Sequence, residues 1–350
     1  MRDQRLPRYL AFSYAVLTAY ACLYPLSGWR DPGGSPLAFL VAPWPRYSTL
    51  ADIWLNVLGY MPLGFSVLAS MRYRRSPLLA VLLSWLLCTL FSGGMEYAQN
   101  YLPTRVASNI DLATNSLGGL LGALAGLRWG RMFDHDGALI RWRQRRILPG
   151  HIGEAGMILV GLWWLTQLEP TSTLFGTGDM RPLFELPAAI AFSTRRFVLI
   201  ETLIVSMNLL ALGMLLQRCM RERSILLVLI VLLVGLGLRS LADYVFVVPP
   251  QPWQWATPGA VRGIALGLLA LLLTWRLPGW LQHSTACVAL LCSTVLVNIA
   301  PENPFELASM RLIHEGHFLN FHGLTRLSDF LWPFLALIYL SANASLVARR

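Results

Sequence analysis

The sequence predicts an all-α protein, a polytopic transmembrane helical bundle of about ten helices with a degenerate parallel four-helix internal repeat. Three observations carry that expectation. Apolar runs such as "SPLLAVLLSWLLCTLF" and "SILLVLIVLLVGLGL" approach the roughly 20 residues of helix needed to cross a hydrocarbon core of about 30 Å. The chain is 55% hydrophobic and only 13% charged, and no soluble domain of ordinary size remains between the runs. All 28 basic residues are Arg, and they cluster in the short connections. In a soluble protein a net charge of +10 would suggest nucleic acid. Here it is the loop bias that orients membrane helices, and no nucleic-acid partner is expected.

The helices are expected at residues 8–25, 50–70, 77–95, 108–128, 152–168, 197–217, 224–247, 258–276, 284–300 and 328–347. The first follows a basic leader, and an A-x-A-like site lies around Ala19 and Ala21. Tyr24-Pro25 and further spans follow closely, so the stretch is read as an uncleaved helix. In the second helix Pro62 leaves the Leu58 carbonyl without its helical partner, and Gly59 and Gly64 permit a kink beside Asn56. The third helix ends in Glu96 and Gln99, three residues apart on one face. Leu102-Pro103 then turns the chain. Ser108-x-x-Asp111 fits a capping box that opens the fourth helix, with Asn115 one turn deeper. Gly118, Gly122 and Gly126 follow at four-residue spacing, a strip that lets another helix approach closely.

These elements group into a four-helix unit over 1–130, a basic cytoplasmic loop over 131–151, a second and degenerate four-helix unit over 152–278, and two further helices with an outer loop over 279–350. The second unit aligns with the first at an offset near 149, shifting to 147, so that Asp52 falls on Glu201 and Glu96 on Asp243. At the matching positions Gln99 becomes Phe246, Arg105 becomes Pro252, Asp111 becomes Pro258 and Asn115 becomes Arg262. The polar set therefore belongs to the first copy. Of the 28 Arg, 18 lie on the side of the amino terminus, which places that side and both termini in the cytoplasm. The stretch from Glu96 to Asn115 then faces outward.

The first unit resembles the VanZ-like family of membrane proteins. The resemblance rests on "DIWLNVLGYMPLGF" and on "EYAQNYLPTRVASNIDLATNSLGGLLG", with the spacing E-x2-Q-x5-R-x5-D-x3-N-x2-G, and covers roughly residues 10 to 128. It implies a multi-pass protein of the bacterial cytoplasmic (inner) membrane and the cell envelope. The family's namesake is associated with low-level teicoplanin resistance, so antibiotic resistance is an implied phenotype. No settled reaction is implied.

Asn56, Glu96, Gln99, Arg105, Asp111 and Asn115 are the candidate ligand-binding residues. One reading makes Glu96, Arg105 and Asp111 an ion-paired staple that holds an outer loop shut. The other makes the set a polar pocket in which Arg105 binds a phosphate or carboxylate bidentately and Glu96 or Asp111 acts as base or acceptor. The expected partner is a membrane lipid or envelope amphiphile, such as a lipid-linked saccharide or a glycopeptide-like antimicrobial. A hydrolase or transferase working through Glu96 or Asp111 with Arg105, and a transporter, are the alternatives, so catalysis stays open. No cofactor or metal is expected. "HEGHFLNFH", with His314, Glu315, His317 and His322, is not the H-E-x-x-H zinc spacing. The five Cys imply no disulfide framework. Trp253 and Trp255 are expected in an interfacial belt.

Overall fold

The computed structural model describes residues 5–24, 26–31, 33–44, 50–71, 76–133, 137–184, 186–187, 189–247, 251–301 and 322–343. Among these, regular structure is helical, apart from an isolated antiparallel bridge between Ile147 and Met220. The helices are α1 (Arg5–Leu23), α2 (Leu50–Ser70), α3 (Pro77–Gln99), α4 (Asn109–Trp129), α5 (Ala138–Arg146), α6 (His151–Thr166), the single turn α7 (Arg181–Phe184), α8 (Thr194–Cys219), α9 (Ile225–Phe246), α10 (Pro258–Thr274), α11 (Gly279–Ile299) and α12 (His322–Ala342). By length and composition α2, α3, α4, α8, α9 and α11 can each cross a membrane, and α10 is apolar but only 17 residues long. The protein is a polytopic helical membrane protein.

Helix ends differ from expectation where capping chemistry outweighs the apolar pattern. Helix α3 runs through Gly93-Gly94 to Gln99, four residues past the expected end, so Glu96 and Gln99 lie inside the helix. Helix α11 starts directly after Pro278, whose fixed φ suits a helix start, and not at residue 284. Pro62 sits within α2 without ending it, and one residue past Leu58 the Gly59 carbonyl accepts the Tyr14 hydroxyl of α1 at 2.8 Å. Of the histidine-rich motif, His314, Glu315 and His317 lie outside the described residues, and His322 opens α12.

The chain divides into two compact units, the first within Met1–Gln144 and the second within Arg145–His314 and Phe321–Arg350. In unit 1 the closest packing is α2 on α4. A Cβ at Gly118 would collide with the Val57 carbonyl oxygen, and one at Gly122 with that of Met61. At Gly126 it would lie 3.2 Å from the Phe65 oxygen. The glycine strip therefore meets α2 backbone to backbone, which is how small residues join helices where lipid supplies no hydrophobic drive. In unit 2, α8 packs against α10 and α11 over a core that includes Trp163, Phe175, Leu209, Leu212 and Trp332. There the Trp332 indole donates to the Leu159 carbonyl at 2.8 Å.

Candidate functional site

In unit 1 the ends of α1 and α3 and the beginnings of α2 and α4 come together. Each helix end leaves up to four backbone donors or acceptors without partners. In apolar surroundings those groups need side-chain partners. The α1 end exposes the carbonyls of Ala21, Cys22 and Tyr24. Arg105 Nη2 donates to Ala21 O at 2.7 Å and to Tyr24 O at 3.1 Å, and its Nε to Tyr24 O at 3.2 Å. Gln99 Nε2 donates to Cys22 O at 3.1 Å. A cation at a helix carboxyl end also complements the dipole.

The start of α4 is tied from the other direction. The Ser108 hydroxyl accepts the Asp111 backbone N–H at 3.4 Å, the first half of the expected capping box. The second half is not made by Asp111. The Ser108 N–H instead donates to Glu96 Oε2 at 2.8 Å, and Asp111 Oδ1 accepts from Asn56 Nδ2 on α2 at 2.8 Å. Glu96 reaches the cap because α3 continues through it, bringing its carboxylate across to α4.

Among the described residues Arg105 makes no ion pair with Glu96 or Asp111, so there is no ion-paired staple; carbonyl oxygens take the guanidinium. Its Nε and Nη2 are already engaged, so a bidentate grip on an anion would require α1 to be released. Burial lowers the Arg105 pKa from its usual value, while the nearby Cys22 and Glu96 act to raise it.

All six candidate residues nonetheless line one cavity of about 230 Å³, together with Cys22, Thr104 and Val106. Glu96 and Asn115 are 3% and 4% exposed, and Gln99 is also buried. Asn115 Nδ2 donates to Ser92 Oγ on α3 at 3.0 Å, whereas its Oδ1 has no donor among the described residues. Glu96 Oε1 and Asp111 Oδ2 likewise make no hydrogen bond among those residues. The lining residues thus carry three acceptor oxygens, and one guanidinium nitrogen, Arg105 Nη1, that make no hydrogen bond among the described residues. Sequence reasoning missed Cys22, Thr104 and Ser92. Cys22 and Ser92 lie in apolar helix stretches with no polar neighbour to mark them, and Thr104 was passed over inside the turn.

Residues 12–129 match the VanZ/LLP1 family model, so the match covers about a third of the chain, taking in α2, α3, α4 and α1 from residue 12 onward. This supports a VanZ-like unit here. Comparison with curated proteins gives no match. Comparison with solved structures gives none either.

Proposed function

We propose that this VanZ-like membrane protein binds the polar headgroup of an envelope amphiphile in the unit 1 cavity and holds it without turnover. The observation that carries the reading is Asn115 Oδ1, a buried acceptor without a donor among the described residues, on a residue that lines the cavity. An unmet buried polar group costs about 1–3 kcal/mol, and a ligand hydroxyl or ammonium would remove that cost. Glu96 Oε1 and Asp111 Oδ2 add two more acceptors. Together they favour a donor-rich headgroup, such as the hydroxyls of a lipid, a lipid-linked saccharide or a glycopeptide-like compound. At about 230 Å³ the cavity is smaller than the ~300–1,000 Å³ of sites that enclose a whole drug-sized ligand. It suits a headgroup whose apolar tail lies along the helices.

The reading includes the bacterial inner membrane, both termini in the cytoplasm, and a cavity that opens outward, all supported by the arginine distribution. Envelope homeostasis or antimicrobial resistance would follow as phenotype. It also includes the internal repeat. The support is that Glu96 and Asp243, aligned by the 147-residue offset, each accept the backbone N–H twelve residues further on, from Ser108 and Trp255. A headgroup hydrolase using Glu96 or Asp111 is the rival reading. Both carboxylates already hold structural hydrogen bonds, and no activated nucleophile stands beside them, so binding is preferred.

Mass spectrometry of the lipids that co-purify with the full chain in mild detergent tests this. A hydroxyl-rich amphiphile should be enriched over bulk lipid, and Asn115→Leu should reduce it at least tenfold with helical content unchanged. Identical lipid profiles from both proteins would overturn the binding site. Conversion of the bound amphiphile by the native protein, abolished in Glu96→Gln with retention intact, would favour the hydrolase.

A further inference from the structure

At the opposite end of the sequence pattern, unit 2 gathers donors where the unit 1 cavity gathers acceptors. The connection from α8 to α9 and the connection from α10 to α11 meet around a second cavity, of about 150 Å³. Its polar lining is Gln217, Arg218, Arg221, Arg223 and Gln282, with no carboxylate among the lining residues. Arg221 and Arg223 are exposed and Arg218 is half-buried, so three like charges converge on one small space at the surface.

The backbone and side chains hold them there. The segment after α8 is pinned to the chain before α6 by the bonds Leu148 N–H to Cys219 O, at 2.8 Å, and Arg221 N–H to Arg146 O, at 2.9 Å. Arg218 Nη2 donates to the Gly279 carbonyl, Arg221 Nε to Ile147 O at 3.2 Å and Arg223 Nη1 to Trp275 O at 2.7 Å. Both Nη groups of Arg221 and the Nη2 of Arg223 make no hydrogen bond among the described residues. Gln217 supplies an independent pointer. The residue is 7% exposed, and its amide Nε2 is a buried donor with no acceptor among the described residues. A buried donor beside three cations calls for an anion with several acceptor oxygens.

We propose that this cavity binds a phosphate group, carried by an anionic lipid headgroup or by a free phosphorylated solute. Guanidinium groups match phosphate oxygens in geometry and charge, and the amide N–H of Gln217 satisfies a further oxygen. The cavity sits where the apolar helices α8, α9 and α11 begin or end, with Trp280 and Leu273 exposed nearby, so acyl chains have a surface to follow. Basic pockets between helix ends are a recurrent way of holding such headgroups. The site does not depend on the acceptor-rich cavity of unit 1.

The test uses the full chain in detergent, titrated with dihexanoyl phosphatidic acid, with dihexanoyl phosphatidylcholine and with inorganic phosphate, and reads saturable binding by thermal shift and native mass spectrometry. Phosphatidic acid should bind saturably and phosphatidylcholine at least tenfold more weakly. Gln217→Glu should weaken the acid at least tenfold, as should the paired exposed changes Arg221→Gln and Arg223→Gln. Arg276→Gln removes one positive charge outside the cavity, half of what the paired variant removes, and should change binding less than twofold. Inorganic phosphate that binds as tightly as phosphatidic acid, with the same dependence on the variants, identifies a free phosphate as the ligand. Tighter phosphatidic acid identifies the lipid. No saturable binding of either probe, or a loss in Arg276→Gln equal to that in the paired variant, overturns the proposal.

Discussion

Units 1 and 2 solve the same problem at their helix ends with different cations. Each places a carboxylate near the end of its third helix, and each carboxylate takes a backbone N–H: Glu96 from Ser108 at 2.8 Å, Asp243 from Trp255 at 2.9 Å. Each also ties the chain at the end of its first helix with a guanidinium. Arg105 holds the carbonyls of Ala21 and Tyr24, and Arg239 holds those of Glu169, Pro170 and Ser172 at 2.6 to 2.9 Å. Arg239 comes from within α9, one turn before Asp243, and pairs with it at 3.2 Å. Arg105 comes from the loop and makes no such pair among the described residues. The 147-residue offset that sets Glu96 on Asp243 sets Ser92 on Arg239. Where unit 2 has a guanidinium, unit 1 has a small hydroxyl beside Asn115 and the cavity. A scaffold that ties its own ends becomes a candidate ligand site when the cation moves from helix to loop.

The largest expected effect concerns how tightly the two units bring their helices together. Gly122→Leu drives a side chain into the Met61 carbonyl, and neither backbone can yield without separating α2 from α4. The loss should exceed about 4 kcal/mol and leave little folded protein. The α8–α10 contact of unit 2 includes a gentler approach, because a Cβ at Gly267 would lie 3.0 Å from Ser206 O. Gly267→Ala should cost about 1–3 kcal/mol. Yield and thermal unfolding of the two variants check the contrast, and equal losses would erase it.

Next in size is removal of the cations themselves. Arg239 is 5% exposed, and Arg239→Ala leaves Asp243 buried with only the Trp255 N–H, along with the Pro170 and Ser172 carbonyls stripped of their donor. Breaking a buried pair in this way costs about 3–5 kcal/mol. Arg105→Ala leaves no orphaned charge at ion-pair distance and strips two carbonyls at a half-buried site, so about 1–2 kcal/mol is expected. Chemical denaturation of both variants in one detergent would show the difference. A larger loss for Arg105→Ala would mean that Glu96 depends on that charge at longer range.

The helices and the glycine strip were legible because periodicity and small-residue spacing are local signals. The grouping of Asn56, Glu96, Gln99, Arg105, Asp111 and Asn115 was legible too, since all six line the cavity. Their pairings were not. Arg105 reaches 84 residues back to a carbonyl of α1, and a carbonyl has no sequence signature. The capping box failed at its second half because Glu96, twelve residues earlier, takes the N–H that Asp111 was expected to hold. The polar character of unit 2 was underestimated for the same reason. The three carbonyl partners of Arg239 lie on a loop some 70 residues away.

The smallest stability change is also the most direct test of the comparison, because it moves unit 1 toward unit 2. Ser92→Arg puts a guanidinium one helical turn before Glu96, the i, i+4 relation that Arg239 holds to Asp243. Made alone it competes with Arg105 and leaves Asn115 Nδ2 without the Ser92 hydroxyl. Combined with Arg105→Ala, it meets vacant α1 carbonyls and a carboxylate with no cation at ion-pair distance among the described residues. The double variant should regain about 1 kcal/mol of what Arg105→Ala loses, roughly one hydrogen bond to a charged group after the Asn115 loss is set against it. It should also fill the cavity and lose the co-purifying amphiphile. Recovered stability with ligand still bound would show that the cavity does not depend on the vacancy beside Ser92. A double variant several kcal/mol worse than Arg105→Ala would show that the geometry around Glu96 and Asp243 is alike in hydrogen bonding but not in the space available to a cation.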